Sequence, residues 1–395
     1  MAALEIITAL SILLLVGVIL TYLCGKLKIS NVFFLIVAGF LMSFIKLQGQ
    51  SLVVFSTEFL TSVAIIALIM IVFDSTSRFR VREIAKETSF ALEVSLLFMV
   101  VSLVVIPIVT HFLFGFAWWI SILFASMMLG TDPSAVVSVL KDIKHHSITF
   151  LEWESVINTP LTVIIPFMVI EMSKTFSWGT IVGSFLEQII PFLQQIVTGI
   201  GAGIVVFLLI FKILKGKYLE VLTPVTLLVS ALLTYVLAEG LKGNGILAVT
   251  ALGILFGNVY FQKKETLQTF GQVLSTLFEI LVFLLLGLSI KLPGSWVFYV
   301  KALILFVVYL ALRGGVIFLI FKNTKDRTIK EKVFMTLNSS KGVAVAVVVF
   351  FLISLGIGRE VIDLGVLFIL YSLIVSTIMG KSSKFFLHVE AKGLK

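Results

Sequence analysis

Apolar residues in this sequence come in long runs, most of them 18–25 residues, separated by short polar breaks. At 1.5 Å per residue that is the length of helix that crosses the hydrocarbon of a bilayer. The runs fall at about 5–25, 29–45, 52–74, 87–111, 117–140, 147–171, 187–211, 219–240, 245–260, 266–290, 296–321, 331–355 and 361–380. The run at 245–260 is short enough to be a broken or tilted helix. Thirteen spans occupy roughly 300 residues, which leaves short loops and no room for a soluble domain. Composition agrees: 59% of residues are hydrophobic and 13% charged, against about 45–50% and 25% in ordinary globular chains. The expected class is an all-α polytopic membrane protein, residues 1–395 forming one transmembrane domain. Nucleic-acid readers, soluble enzymes and secreted disulfide scaffolds are excluded. Cys24, the single cysteine, can form no internal disulfide.

The net charge of +9 is a matter of orientation. With loops assigned alternately to two sides, 22 of the 30 basic residues fall on one side and 6 on the other. The excess marks the cytoplasmic side, so the N-terminus is expected outside and the C-terminus inside a cell membrane. That arrangement requires an odd number of spans. No basic residue precedes Lys26, so the first run reads as a span rather than a secretory signal.

Two basic residues remain, Arg313 and Lys341, both near the middle of a run. Asp132, Glu154 and Glu279 also fall inside runs, with Glu93 shallower. A mid-bilayer charge costs about 2.5–3.5 kcal/mol on the insertion scale, so such residues mark a pathway or pair with one another. Three acids against two bases leave one carboxylate over, which suits a site for a cation or a proton.

Polar breaks accompany these charges. Gly130-Thr131-Asp132-Pro133 interrupts the fifth run, where proline removes a donor and pushes Asp132 out of helix. Asn338-Ser339-Ser340-Lys341-Gly342 interrupts the twelfth. Breaks seven spans apart fit two inverted six-helix repeats, about 5–171 and 219–380, around a linker helix at about 187–211, with a cytoplasmic tail over 381–395. In the sixth run Glu154 and Asn158 are four apart and share a helix face.

These residues resemble the monovalent cation:proton antiporters, specifically the sodium/proton exchanger branch. Thr131-Asp132-Pro133 is similar to the family's Thr-Asp-Pro at its unwound helix. Glu154-Ser155-Val156-Ile157-Asn158 is similar to its Glu-Ser-x-x-Asn-Asp motif, and Leu286-Gly287-Leu288-Ser289-Ile290 to the end of its tenth span. Glu279 sits where many members carry an acid, and Arg313 and Lys341-Gly342 where the family has arginines. The resemblance implies a thirteen-helix inverted-repeat bundle, a homodimer and elevator-type alternating access, with no cofactor beyond transported Na⁺, Li⁺ or K⁺ and H⁺. It puts Asp132 and Thr131 at the ion site with Asn158 and Ser155, and pairs Glu154 with Arg313. The sequence departs from the pattern at two places. Thr159 stands where the family's motif ends in its ion-binding Asp, and Lys341 replaces an arginine.

Three readings follow from that altered site. The first keeps antiport: Asp132 is the only carboxylate facing the cavity and the main cation- and proton-binding group. Thr159, Asn158 and backbone carbonyls complete an oxygen cage, and Lys341 neutralises Asp132 when no metal is bound, so that cation entry expels Lys341 or its proton, one for one. In a variant of it, Lys341 pairs with Glu279. The second is a proton-uncoupled uniporter, symporter or channel. The third is a regulatory paralogue that moves little. No metalloprotease or serine-hydrolase motif points to an enzyme. Among lesser features, His145 and His146 read as solvated loop residues. Asp74 reads either as part of a cytoplasmic funnel or as a solvated helix end beside Arg78. Gly199 and Gly203 have close-contact spacing that does not distinguish dimerisation from internal packing.

Overall fold

The structure, a computed structural model, describes residues 3–27, 29–47, 50–51, 55–78, 86–132, 145–175, 185–214, 222–259, 264–290, 294–324 and 327–387. In hydrocarbon a backbone must pair its own polar groups, so long apolar runs fold as helices. They are α1 (Ala3–Leu27), α2 (Asn31–Met42), α3 (Thr57–Ser77), α4 (Lys86–Phe114), α5 (Trp118–Met127), α6 (His146–Thr175), α7 (Phe185–Leu214), α8 (Leu222–Gly240), α9 (Gly245–Asn258), α10 (Lys264–Ser289), α11 (Trp296–Ile320), α12 (Ile329–Leu337), α13 (Val343–Ser354), α14 (Arg359–Lys381) and α15 (Ser383–Leu387). Strand pairing among the described residues is confined to Lys46–Leu47 against Gln50–Ser51.

Among the described residues, eight helices are long and apolar enough to cross a membrane. Five shorter apolar helices (α2, α5, α8, α9 and α13) fall on the remaining five runs. The short run at 245–260 forms one unbroken helix, α9, whose start is capped by Asn244: its Oδ1 accepts from Ile246 and Leu247 N–H, both at 3.0 Å. The fifth and twelfth runs are interrupted. α5 stops at Met127, and five residues separate α12 from α13. Pro133 and the rest of the fifth run lie outside the described residues, as does most of the expected tail.

α13 is apolar along its whole length, and Val345 through Phe350 are fully buried, as expected of a helix surrounded by others. It lies between two groups. α4, α5, α6, α11, α12 and α14 pack together on one side, while α1, α2, α7, α8 and α9 form a panel on the other, joined to α13 through α3 and α10. Small residues set the close crossings of the panel. A Cβ at Gly199 or Gly203 would meet the backbone of Asn244 or Ala248, so that glycine pair serves internal packing of α7 on α9.

Candidate functional site

The two interruptions cross. Asp132 N–H donates to Ser340 O at 2.8 Å, and the Ser340 hydroxyl donates back to Asp132 O. Side chains are exchanged in the same way. Lys341, from the second break, reaches the end of α5, where its ammonium donates to Met128 O at 2.6 Å and Gly130 O at 2.9 Å. Its third bond goes to the Tyr309 hydroxyl at 2.6 Å. Asp132, from the first break, lies against the start of α13, so closely that a Cβ at Gly342 would collide with its carboxyl group. A helix carries partial negative charge at its C-terminus and positive at its N-terminus. Each charge therefore sits at the helix end that favours it.

This corrects the expected partner of Lys341. An ammonium has three donors, and all three are spent on neutral oxygens. It is the counter-charge of neither Asp132 nor Glu279. Sequence reasoning missed Tyr309, although its position four residues before Arg313 puts both on one face of α11.

The other buried cation pairs with a carboxylate. Arg313 holds Glu154 bidentately, Nη1 to Oε1 at 2.5 Å and Nη2 to Oε2 at 2.7 Å, and Nη2 also donates to Met335 O at 3.2 Å. Both side chains are fully buried. The guanidinium fork matches a carboxylate, a further Nη2 donor ties α11 to α12, and the buried Nε has no hydrogen-bond partner among the described residues.

A cavity of about 320 Å³ adjoins the crossing. Thr131, Asp132, Ser155 and Thr159 form one wall with the first turn of α13. Gln272, Ser275, Thr276 and Glu279 of α10 form the other, and Asp74 and Arg78 stand at the end of α3. Arg78 binds Asp74 at 3.0 Å, and the arginine side chain is 40% exposed, which marks the mouth. Asp132 is thus not the only carboxylate on the cavity: Glu279 and Asp74 share it. Glu279 is on the cavity wall rather than in a buried ion pair. Thr159 donates its hydroxyl proton to Ser155 O at 2.7 Å, which leaves its oxygen lone pairs for a cation. Asn158 does not line the cavity. It is buried behind it, its amide 3.4 Å from Thr131 Oγ1.

Glu279 was singled out in the sequence; its α10 neighbours Gln272, Ser275 and Thr276 were missed, though their signal is present. Gln268, Gln272, Ser275 with Thr276, and Glu279 recur every three or four residues as one polar stripe, and from Phe270 to Leu288 no other polar side chain interrupts the helix. Gln268 donates to Ser77 O at 3.0 Å and Ser275 to Met70 O at 3.2 Å, which holds the stripe against α3. His145 and His146 are not simply solvated. Their rings stack, with Nε2 atoms 3.4 and 3.5 Å from Glu331 Oε1. The His145 Nδ1 accepts Ser147 N–H and so caps α6. Glu93 is exposed near the start of α4.

A second cavity, about 450 Å³, lies farther along the same two helices. Phe167 and Ile170 of α6, Phe351 of α13 and Leu355 just past its end line it with Gln195, Tyr235, Glu239 and Lys242. The Phe167 and Phe351 rings, 4.9 Å apart, are part of its lining.

Comparison with known proteins gives the family and the fold. The sodium/hydrogen exchanger transmembrane model matches residues 10–382. The probable Na⁺/H⁺ antiporter 2 of Methanocaldococcus jannaschii is 26% identical over 306 residues, 72% of this chain and 69% of that protein. The Na⁺/H⁺ antiporter NhaH of Halobacillus aidingensis is 24% identical over 327 residues, 75% of this chain and 77% of that one. The fold superposes on the sodium proton antiporter MjNhaP1 from M. jannaschii with a TM-score of 0.77, at 19% identity and covering 98% of this chain and 99% of that one. A multi-pass helical bundle, two crossed helix breaks and a family match over nearly the whole length lead to one assignment: this chain belongs to the sodium/hydrogen exchanger family.

Proposed function

We propose that this chain exchanges a monovalent cation, Na⁺, Li⁺ or K⁺, for H⁺ by alternating access, with Asp132 as the principal cation-binding carboxylate. One observation carries this. Asp132 lines an oxygen-rich cavity at the crossing, while both intramembrane cations, Arg313 and Lys341, are committed to other partners. Asp132, Thr131, Ser155 and Thr159 offer the hard oxygens that alkali cations prefer, and Asn158 fixes Thr131 from behind. Glu154, Arg313 and Lys341 brace the crossing.

The second cavity supports alternating access. α6 and α13 pass from one cavity to the other, so a shift of the crossing against α3 and α10 would close one route and open the other. The positive-inside bias supports a cell-membrane protein with the N-terminus outside, the C-terminus inside and the Asp74 mouth facing the cytoplasm. Two inverted repeats in one domain and a homodimer belong to the same reading.

Everted vesicles carrying a ΔpH-sensing dye test it. Na⁺, Li⁺ or K⁺ should dequench the dye with wild type and not with Asp132→Asn. No response from well-expressed wild type sinks the exchange reading and leaves uncoupled cation flux, which Thr159 would favour, as the one to test.

A further inference from the structure

Exchange requires a group that holds a proton when the cation is absent and releases it when the cation binds. Thr159 has no such proton near neutrality. On the opposite wall α10 brings a carboxylate to the same cavity, Glu279, at the inner end of a polar stripe that runs through Thr276, Ser275 and Gln272 toward the start of the helix. That stripe continues to Gln268, bonded to the last turn of α3 beside the Asp74 mouth. A file of hydroxyl and amide groups along a cavity wall is a route that water can occupy and protons can use.

We infer that Glu279 is the exchangeable proton site of this transporter, supplying from α10 the second carboxylate that Thr159 does not offer from α6. The inference rests on the exchange reading above. Its charge accounting closes. With the cation bound, Asp132 and Glu279 are both ionised and the pair plus ion carries −1. When the ion leaves, one proton enters along the stripe and binds Glu279 while Asp132 stays ionised, and the sum is again −1. One cation leaves for each proton taken up, and no step charges the cavity further. The ionisable groups sharing this cavity are Asp74 and Arg78 of α3, paired with each other, and Asp132. α2 and α13 carry none. Tyr22, Cys24 and Lys26 of α1 and Tyr235 and Glu239 of α8 do not line it.

The test uses full-length protein in proteoliposomes with two readouts: cation-driven pH change, and isotopic Na⁺–Na⁺ counterflow at fixed pH, which needs no proton carrier. Wild type should show both. Glu279→Gln should lose the pH signal by about a hundredfold, the scale of removing a positioned proton-transfer group, and keep counterflow within about threefold. Glu279→Asp should keep both with a displaced pH profile, and Thr159→Asp added to Glu279→Gln should restore the pH signal. A pH signal and profile in Glu279→Gln equal to wild type overturns the inference. If Glu279→Gln does not fold, its double variant decides: folded and in counterflow yet uncoupled, it overturns the inference as well. A wild type that runs counterflow without any pH change is a different failure, that of the exchange reading itself.

Discussion

Six charged side chains at or beside the helix crossing divide into two sets with opposite surroundings. Glu154, Arg313 and Lys341 are fully buried: Glu154 and Arg313 bond each other, Arg313 also reaches Met335 O, and Lys341 bonds Met128 O, Gly130 O and the Tyr309 hydroxyl. Asp132, Glu279 and Asp74 are only partly covered and share one cavity. The first set contains both cations that lie inside apolar runs, and the second is carboxylates, with Arg78 beside them at the cavity mouth. Burial alone therefore does not mark function here. A charge enclosed and bonded by protein groups holds the frame, and a charge that lines a cavity can meet an ion there.

The sharpest way to break this division is to remove one member of the dry set. Arg313→Ala leaves the Glu154 carboxylate buried without its partner, which should destabilise the protein by about 3–5 kcal/mol. Thermal unfolding in detergent measures it. Replacing both residues by leucine should recover most of that loss, because two apolar side chains strand no charge. A single variant as stable as wild type would move this pair out of the frame. Lys341→Met should come next, at about 1–3 kcal/mol, since it strands Met128 O, Gly130 O and the Tyr309 hydroxyl. The wet set should behave oppositely. Asp132→Asn should abolish exchange yet unfold within about 0.5–1 kcal/mol of wild type.

Much of this was legible before any coordinates. Run length fixes spans, because hydrocarbon thickness fixes helix length. The two breaks announce themselves through glycine, proline and polar residues inside apolar runs, and the charges near them are conspicuous for the same reason. Sorting those charges was not legible. Lys341 bonds backbone carbonyls, and a carbonyl freed by unwinding leaves no mark in residue type, so sequence reasoning looked for a carboxylate partner. Glu279 taken alone looks like one half of a buried ion pair. The spacing of Gln272, Ser275, Thr276 and Glu279 shows that α10 has a polar face, but not that α3 and the crossing stand opposite it. That depends on contacts between helices far apart in the chain. Gly199 and Gly203 show the same limit: their spacing announces a close contact, and only the fold names α9 as the partner.

Asp74 lies on the border between the two sets and should give the smallest effect. It lines the cavity, yet Arg78 holds it in an i,i+4 pair at the mouth, where the arginine is 40% exposed. A pair this open contributes about 0–1 kcal/mol to stability, so Asp74→Asn should barely change the unfolding temperature. Its effect on transport is electrostatic. Losing the carboxylate leaves Arg78 positive at the entrance, which lowers the local cation concentration and should raise KM by about two- to threefold at low ionic strength. Above about 0.15 M salt the Debye length is about 8 Å or less, and the difference should fade. Arg78→Gln should shift KM the other way, with kcat unchanged in both variants. The decisive quantity is how kcat and KM divide the change. A loss of kcat in Asp74→Asn that persists at high salt would mean that Asp74 touches the cation in the translocated state. The ion site would then extend from the crossing to the end of α3, and the mouth would lie farther out than Arg78.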